Sequence, residues 1–200
     1  KVDTAKAEYW VTVLKEILVK KAIEPRDAER MAGRLNFVSG AVAGRSGSCR
    51  LHNLYSASYK RGPSWSQELE QDIVWWIRFL GQNTTSEVPL SNDQIKQVSV
   101  FTDAEGSGGI GAVVFEDERA PVVIKSRLGR EFTGQLKPRK TQIMSLEIGA
   151  AVVATLRWRG DLRGANVVFY IDNKSGMFAL KKGRAKSEDM NGLIRIFSDT

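Results

Sequence analysis

Cysteine, histidine and long apolar runs are nearly absent from this 200-residue sequence. The one cysteine, Cys49, excludes a disulfide framework and any zinc site built from several cysteines. The one histidine, His52, excludes zinc sites that need several histidines and leaves no second histidine to serve a serine or cysteine nucleophile. No apolar run reaches about 18 residues, so we expect no membrane-spanning segment. The first ten residues carry charges throughout and lack the apolar centre of a signal peptide.

Composition and length are those of a folded chain. Hydrophobic residues make up 42% of the sequence and charged residues 26%, which is typical of globular proteins. The length suits one ordinary domain or two small ones. A free cysteine without a secretion signal indicates a reducing, intracellular setting, and the start on Lys1 instead of methionine indicates a processed product or a fragment.

Positive charge exceeds negative charge by +7, and the excess lies mainly in the second half, where residues 96–200 hold 17 basic and 12 acidic side chains. A basic surface attracts phosphate backbones through Coulomb attraction and counterion release. Charge alone is equally compatible with a solvated basic face that binds nothing. The densest run lies between residues 119 and 140, and from it we predict these nucleic-acid contacts: Arg127, Arg130, Lys137, Arg139 and Lys140.

Residues 1–81 have the periodicity of a helical module. An amphipathic stretch over residues 4–21 predicts a first helix. Pro25 suits the first turn of a second helix that is predicted to end near Ser39. Glycine and serine over residues 40–48 predict a bend.

A third helix and a linker complete the first half of the sequence. Ser64 followed by Gln67 matches a capping box, and it predicts a helix over residues 66–80 with Gly81 as its C-cap. The polar residues 82–95 are predicted to form a linker between two modules.

From residue 96 the pattern becomes that of a mixed α/β domain. The first two predicted strands flank a glycine-rich turn, so they should form an antiparallel hairpin. The predicted order is strand, strand, strand, helix, strand, helix, helix, at residues 97–103, 110–116, 122–128, 141–158, 166–172, 175–180 and 188–197. The predicted fold class is therefore α/β, a mixed sheet flanked by helices after a helical module.

Three acidic residues stand where neutral or apolar residues would be less costly. Asp103 and Asp172 each end an apolar strand, where a carboxylate usually faces a cleft or caps a turn. Glu147 lies on the buried stripe of the predicted helix, where an unpaired charge costs several kcal/mol. Each residue alone could be a cap or a stripe boundary, but together they indicate a shared cleft.

Carboxylates that share a cleft repel one another unless cations lie between them. Hard oxygen ligands select Mg²⁺ or Mn²⁺. Two such ions can activate a water and stabilise the leaving oxygen of a phosphodiester. We therefore predict Asp103, Glu147 and Asp172 as catalytic and metal-binding residues, with two ions in an active site and a polyanion held by the basic surface.

The segments around these acids resemble the ribonuclease H family. Residues 100–113 look like its first hairpin, residues 145–150 like the segment of its helix glutamate, and residues 170–175 like that of its second aspartate. The version is similar to the one carried by retroelement reverse transcriptases, because residues 28–37 and 75–80 resemble the thumb or connection segment that follows the palm. The resemblance implies a two-metal nuclease that cuts the RNA strand of an RNA–DNA hybrid.

One feature departs from the family pattern. The family uses a fourth acid beyond a fifth strand, whereas helices are predicted after Asp172, and Asp189 and Asp199 lie on or beside the last of them. We therefore expect a ribonuclease H-like domain that lacks its last strand and helix. Polymerase activity is not expected, because no palm is present, and cleavage is expected to be weak or absent without the missing segment.

The leading interpretation is a nucleic-acid-binding reverse transcriptase fragment. It comprises a thumb/connection-like module (1–81), a linker (82–95) and a ribonuclease H-like domain (96–200). Its expected partners are an RNA–DNA hybrid or another nucleic acid, and the rest of a reverse transcriptase or a larger assembly, but no membrane.

Two alternatives stay open. The first is a non-catalytic, retroelement-derived module that serves as a structural or binding part of a larger assembly. The second is an integrase-like strand-transfer enzyme on the same fold, which needs only three acids. The thumb-like helices count against the second alternative.

Overall fold

A computed structural model of the chain describes residues 3–41, 47–82, 95–117 and 119–199. The chain forms two compact units, which we call unit 1 (Lys1–Val88) and unit 2 (Pro89–Thr200). The division falls within the predicted linker, of which residues 83–94 lie outside the described part.

Unit 1 is helical. Its helices are α1 (Thr4–Lys20), α2 (Pro25–Ala41), α3 (His52–Ser58) and α4 (Gln67–Gly81), and a 3-10 turn over Ser48–Leu51 leads into α3. The apolar positions that repeat at helical spacing in the sequence meet in one core. Its most deeply buried members are Leu14, Met31, Leu35, Leu54, Ile73 and Trp76.

Two boundaries in unit 1 differ slightly from the prediction. Helix α2 ends at Ala41, two residues past the predicted end near Ser39, and the buried Ser39 hydroxyl lies 2.7 Å from that of Ser48. Of the predicted bend, residues 42–46 lie outside the described part, and Ser48 already belongs to the 3-10 turn.

The predicted capping box before α4 is also wrong. Ser66 caps the helix, because its hydroxyl accepts a hydrogen bond from the amide of Leu69 at 3.1 Å. Ser64 instead pairs through its backbone with Ile23. Gly81 is the last residue of α4 and not its cap.

A buried polar cluster ties the 3-10 turn and α3 to α4 in unit 1. Asp72 is 1% exposed, lies 3.6 Å from the Arg50 guanidinium, and accepts a 2.8 Å hydrogen bond from Asn53. The Arg50 guanidinium also covers the Trp75 ring, 4.9 Å from the ring centroid. The Trp76 indole donates to the Arg50 carbonyl at 3.4 Å. Charge neutralisation and aromatic packing therefore act on the same arginine.

Unit 2 contains a four-stranded mixed sheet. Its strands are β1 (Gln97–Ala104), β2 (Gly109–Glu116), β3 (Val122–Arg127) and β4 (Asn166–Ile171), in the spatial order β3-β2-β1-β4. β1 pairs antiparallel with β2, β2 pairs antiparallel with β3, and β4 joins β1 in parallel. The mixed α/β class predicted from the sequence is confirmed.

The helices of unit 2 are α5 (Arg130–Gly134), α6 (Ile143–Arg157), α7 (Arg159–Leu162), α8 (Lys174–Lys182) and α9 (Glu188–Asp199). Helix α6 packs against β1 and β2 and also against α8 and α9. Over residues 173–199 the structure contains these last two helices and no strand. In the described part of the chain, no helix combines the length and the hydropathy needed to cross a membrane.

The two faces of the sheet differ. Val100, Ala112 and Val114 point to the face that α6 covers and are buried with Ala154 and Trp158. The opposite face carries exposed apolar side chains, of which the largest are Phe101, Phe115 and Tyr170. We call it the open face. Alternation along each strand therefore separates a packed face from an accessible one.

Asp72→Asn is expected to lower the free energy of unfolding of unit 1 by about 1–3 kcal/mol, because the buried Arg50 guanidinium loses its attraction to the Asp72 charge. The exposed pair Asp27–Arg30 gives a matched control, and Asp27→Asn should change stability by less than about 0.5 kcal/mol. Urea unfolding followed by tryptophan fluorescence reports unit 1, which holds four of the five tryptophans. Equal losses in both variants would contradict a stabilising role for the buried cluster.

Candidate metal centre

Two aspartates lie side by side at one end of the sheet. Asp103 is the last residue but one of β1, and Asp172 directly follows β4. The parallel register pairs Thr102 with Ile171, so the residues that follow them, Asp103 and Asp172, lie side by side. Both aspartates are exposed.

The chain turns away from the sheet immediately after Asp172. Asn173 caps α8 by accepting a hydrogen bond from the amide of Gly176 at 2.9 Å. The cap starts the helix at Lys174 and so leaves the carboxylate of Asp172 at the strand end. Local sequence therefore fixes the end of β4.

Glu147 reaches the same place from α6. It is 1% exposed, and its Oε1 accepts a hydrogen bond from the amide of Ala104 at 3.2 Å. The same amide lies 2.9 Å from Oδ1 of Asp103. The other oxygen, Oε2, is buried and accepts no hydrogen bond from the described residues. This buried oxygen is placed where a cation could satisfy it.

A glycine lets α6 pack closely beside this glutamate. A Cβ on Gly149 would lie 2.9 Å from the Phe132 ring and 3.1 Å from a Leu128 methyl group. Such distances are shorter than ordinary contacts, but the contacted atoms are the far ends of the Phe132 and Leu128 side chains, which can move to make room for a Cβ.

The structure brings Asp103, Glu147 and Asp172 together, with one oxygen of each within 4.8 Å of the others. We call these three residues the acid triad. Burial raises the pKa of Glu147 to about 7, and the negative charges of Asp172 and Asp103 act in the same direction. The Ala104 amide opposes this effect. The protein alone therefore holds these carboxylates at an electrostatic cost.

The donor set fits a divalent cation. Carboxylate oxygens are the ligands that Mg²⁺ and Mn²⁺ prefer, at about 2.0–2.1 Å for Mg²⁺. Oxygens within 4.8 Å of one another are close enough to bind one ion, or to bridge two ions about 3.5–4 Å apart, after small side-chain rotations. A bound cation would also neutralise the negative charge of the buried Glu147 carboxylate. The three residues are thus suited to hold the predicted metal.

A broad cavity of about 1000 Å³ lies on the open face of the sheet and includes two members of the acid triad. Asp103 and Asp172 line one end, and Lys125 and Arg127 of β3 line it from the edge strand. Lys125 belongs to the basic run, but it was not among the predicted contacts. The cavity therefore combines cations for a polyanion with carboxylates for a metal.

The structure places only one of the predicted basic contacts at this cavity. Arg127 is exposed at its rim, and its guanidinium lies 3.6 Å from the Glu105 carboxylate. Arg130, Lys137 and Lys140 are exposed elsewhere on unit 2 and do not line the cavity.

Arg139 makes an internal ion pair. Its two terminal nitrogens each lie 2.7 Å from an oxygen of Asp189, and one of them also donates to Ser187. Asp189 accepts a further hydrogen bond from the amide of Lys137. The Arg139 side chain is 23% exposed. It fastens the segment before α6 to α9, and its charge is already neutralised within the unit.

Sequence reasoning missed a second basic segment beside the acid triad. Residues 173–187 contain five basic residues and no acidic one. All five are exposed, and the first follows Asp172 by two positions: Lys174, Lys181, Lys182, Arg184 and Lys186. The charge count of this window reveals the segment, although the run at residues 119–140 is denser.

Glu147→Gln is expected to stabilise metal-free unit 2 by about 1–3 kcal/mol near pH 8, because it removes a buried, repelled charge and keeps the oxygen that accepts from Ala104. Thermal unfolding in EDTA measures this gain. Excess Mg²⁺ should reduce this gain in stability, because Mg²⁺ binds and stabilises the wild type, whose Glu147 carboxylate is charged, more than the variant with a neutral glutamine. Glu131→Gln, at an exposed position, is the control. Destabilisation by Glu147→Gln in EDTA would contradict the electrostatic cost.

Asp189→Asn is expected to lower the stability of unit 2 at neutral pH by about 2–4 kcal/mol. The Arg139 guanidinium holds the pKa of Asp189 well below its usual range, so this contribution is present at neutral pH and is lost as the pH falls below about 4. Unfolding curves of the wild type and the variant should therefore converge in acid. Asp117→Asn, at an exposed position, should change little at any pH. A stability difference between the wild type and Asp189→Asn that persists in acid would contradict a stabilising role for the ion pair with Arg139.

Comparison with known proteins gives no relative for this chain. A scan against protein-family models found no match, and neither the curated proteins nor the solved structures gave a significant one.

Proposed function

We propose that unit 2 is a metal-dependent nuclease of the ribonuclease H type, which hydrolyses the RNA strand of RNA–DNA hybrids. We further propose that unit 1 is the thumb/connection-like part of the same reverse transcriptase. The observation that carries the proposal is the meeting of Asp103, Glu147 and Asp172 within 4.8 Å. They come from three separate elements, β1, α6 and the end of β4.

The residues of the acid triad differ in what they can do. Divalent cations, when bound, supply a water-derived nucleophile and stabilise the leaving oxygen of a phosphodiester. Glu147 is buried and held by the Ala104 amide, so it offers a fixed oxygen. Asp103 and Asp172 are exposed and can face both a cation and the phosphate that it contacts. The arrangement suits an open, solvent-facing reaction centre beneath a polymer.

The strand order supports the nuclease proposal. An antiparallel hairpin carries Asp103, a helix after the third strand carries Glu147, and a strand parallel to β1 ends at Asp172. This is the order of elements on which the resemblance to ribonuclease H was drawn. It also puts both aspartates at the same end of adjacent parallel strands, which is where open α/β sheets bind ligands.

The charge distribution supports a nucleic-acid substrate. Lys125 and Arg127 lie on β3, and the basic segment 173–187 begins after β4 at the other side of the acid triad. A strand of nucleic acid that crosses the acid triad would therefore meet cations on both sides. Arg139 is not part of this set, because Asp189 already neutralises it.

One observation favours the alternatives. Among the described residues, the cluster that could hold a metal contains three acids and no fourth. A non-catalytic binding module and an integrase-like strand-transfer enzyme are both compatible with three acids, so both are outcomes of the test below.

The test is cleavage of end-labelled RNA in an RNA–DNA hybrid, with excess protein and either Mg²⁺ or Mn²⁺. We expect slow, metal-dependent cutting of the RNA strand, and Asp172→Asn should reduce the rate by at least about 100-fold, because it removes a charged ligand of the metal. Asp161→Asn, at an exposed position away from the acid triad, should cut like the wild type.

Other results would decide against the nuclease. Tight hybrid binding without cleavage in either metal, both by this chain and by a chain extended with the missing strand and helix, would favour the binding module. Joining of DNA ends, without hybrid cleavage, would favour the strand-transfer enzyme. Cleavage that survives Asp172→Asn would show that the acid triad is not the reaction centre.

A further inference from the structure

We propose that residues 183–187, which join α8 to α9, form a preformed phosphate-binding loop, and that Asn191 is the residue that positions it. We call these five residues the basic loop. It contacts the sugar–phosphate backbone of a duplex at a distance from the acid triad. The inference rests on the proposed function for the class of substrate, and it adds a positioning residue and a second point of contact.

The basic loop carries cations that the fold of unit 2 does not use. Arg184 and Lys186 are exposed, and neither forms an ion pair with a described residue. Lys181 and Lys182 come just before the loop, in the last turn of α8, where the helix dipole favours cations. That explanation does not extend to Arg184 and Lys186, which lie beyond the helix. Four cations within six residues repel one another, so their charge is available to an anionic ligand.

The first residue of the basic loop fixes the direction in which the chain leaves α8. Gly183 has the left-handed conformation, with φ at 65°. Its amide donates to the Leu180 carbonyl at 2.9 Å, and the amide of Arg184 donates to the Ala179 carbonyl at 3.1 Å. This pair of hydrogen bonds is the Schellman arrangement, which glycine adopts readily because it has no Cβ. The backbone at Arg184 is therefore held against the end of the helix.

A buried side chain of α9 fixes the middle of the basic loop. Asn191 is 0% exposed. Its Oδ1 accepts a hydrogen bond from the amide of Ala185 at 2.7 Å, and its Nδ2 donates to the carbonyl of the same residue at 3.1 Å. One side chain thus holds both backbone groups of Ala185. Because Ala185 lies between Arg184 and Lys186, this contact sets the backbone from which both cations project.

The last residue of the basic loop is anchored as well. The Ser187 hydroxyl accepts a hydrogen bond from Arg139 at 2.9 Å, and the Ser187 carbonyl accepts one from the amide of Asn191 at 3.1 Å. The loop therefore has hydrogen-bonded anchors at its start, middle and end. Ordering a loop during folding, and not during binding, lowers the entropic cost of binding a ligand. Exposed cations on an anchored backbone are the features of a preformed anion-binding loop.

Helix α8 sets the distance between the basic loop and the acid triad. The helix begins two residues after Asp172 and has nine residues, so its far end lies about 13 Å along the helix axis. This length equals about four base steps of a duplex. The loop is therefore too far away to contact a phosphate that lies at the acid triad, but it can contact the same duplex. Such a contact strengthens binding of the substrate and of the transition state equally.

The experiment measures binding of a fluorescent RNA–DNA hybrid over a range of salt concentrations, with Ca²⁺ in place of Mg²⁺ to prevent cutting. Fluorescent polyglutamate serves as a polyanion without phosphates. Arg184→Gln/Lys186→Gln removes the two cations, Asn191→Ala removes the anchor of the loop, and a triple variant combines them. Arg157→Gln/Arg163→Gln is the matched control, because it removes two exposed cations that precede β4, the strand whose other end leads to the acid triad.

Arg184→Gln/Lys186→Gln should bind the hybrid about 10-fold more weakly, with a salt dependence that is shallower by about two in slope and with unchanged thermal stability. The control pair should stay within about 2-fold of the wild type. Asn191→Ala should weaken binding about 3- to 10-fold in the wild type and cause no further loss in the variant without the two cations, because it acts through them. If Asn191→Ala does not fold, Asn191→Ser, which cannot hold both backbone groups of Ala185, takes its place.

Unchanged hybrid affinity and salt dependence in Arg184→Gln/Lys186→Gln would overturn the phosphate-binding loop. Equal losses from Asn191→Ala with and without the two cations would show a merely structural asparagine and overturn its positioning role. Polyglutamate binding that depends on the cations, with unchanged hybrid binding, would identify an acidic protein segment as the ligand and also overturn the loop.

Cleavage of the hybrid in Mg²⁺ reports the proposed function separately. Where the wild type cuts, the variant without the two cations should raise KM and leave kcat unchanged, because the loop does not reach the reacting phosphate. If the wild type does not cut but its binding depends on the two cations, the nuclease fails and the phosphate-binding loop stands.

Discussion

A carboxylate buried between helix and sheet constrains most of unit 2. Glu147 is held beneath the ends of β1 and β4 by one backbone amide, with two further carboxylates nearby. Folding the protein alone must therefore bury the Glu147 carboxylate beside two exposed carboxylates. The cap that ends β4 and the parallel pairing of β4 with β1 both position these charges. A site that is unfavourable for the empty protein is well prepared for a cation.

The two faces of the sheet differ in role, because one packs against helix α6 and the other is accessible. One face is packed against α6, and Ala104, next to Asp103, is buried against Leu146 and Ala150 of that helix. The other face leaves aromatic side chains, cations and the ends of the strands accessible. Because successive residues of a strand point to opposite faces, eight residues of β1 contribute to both. The same alternation explains how a reaction centre and a binding surface can be continuous with each other.

Much of the fold could be predicted from the sequence, and the exceptions share a cause. The strands of unit 2 were predictable because alternation is strong in β1 and apolar residues are continuous in β4. Helices α3, α5 and α7 were not predicted, since each has seven residues or fewer and offers too few turns for a periodic pattern. The sequence singles out three acids because a carboxylate is disfavoured at the position that each occupies in its strand or helix: Asp103, Glu147 and Asp172. The ion-pair partner of Arg139 could not be predicted from the sequence, because Asp189 lies 50 residues away.

β4 forms an edge of the four-stranded sheet, and its sequence is unusual for that position. Residues 167–171 are Val, Val, Phe, Tyr and Ile, with no lysine, proline or bulge to discourage a further strand. Natural proteins usually protect such an edge with charge or cover. An uncovered β4 would offer a row of backbone donors and acceptors to any extended segment, including β4 of another copy. Any strand that paired with this edge would therefore run beside the end of β4 that leads into Asp172, a member of the acid triad.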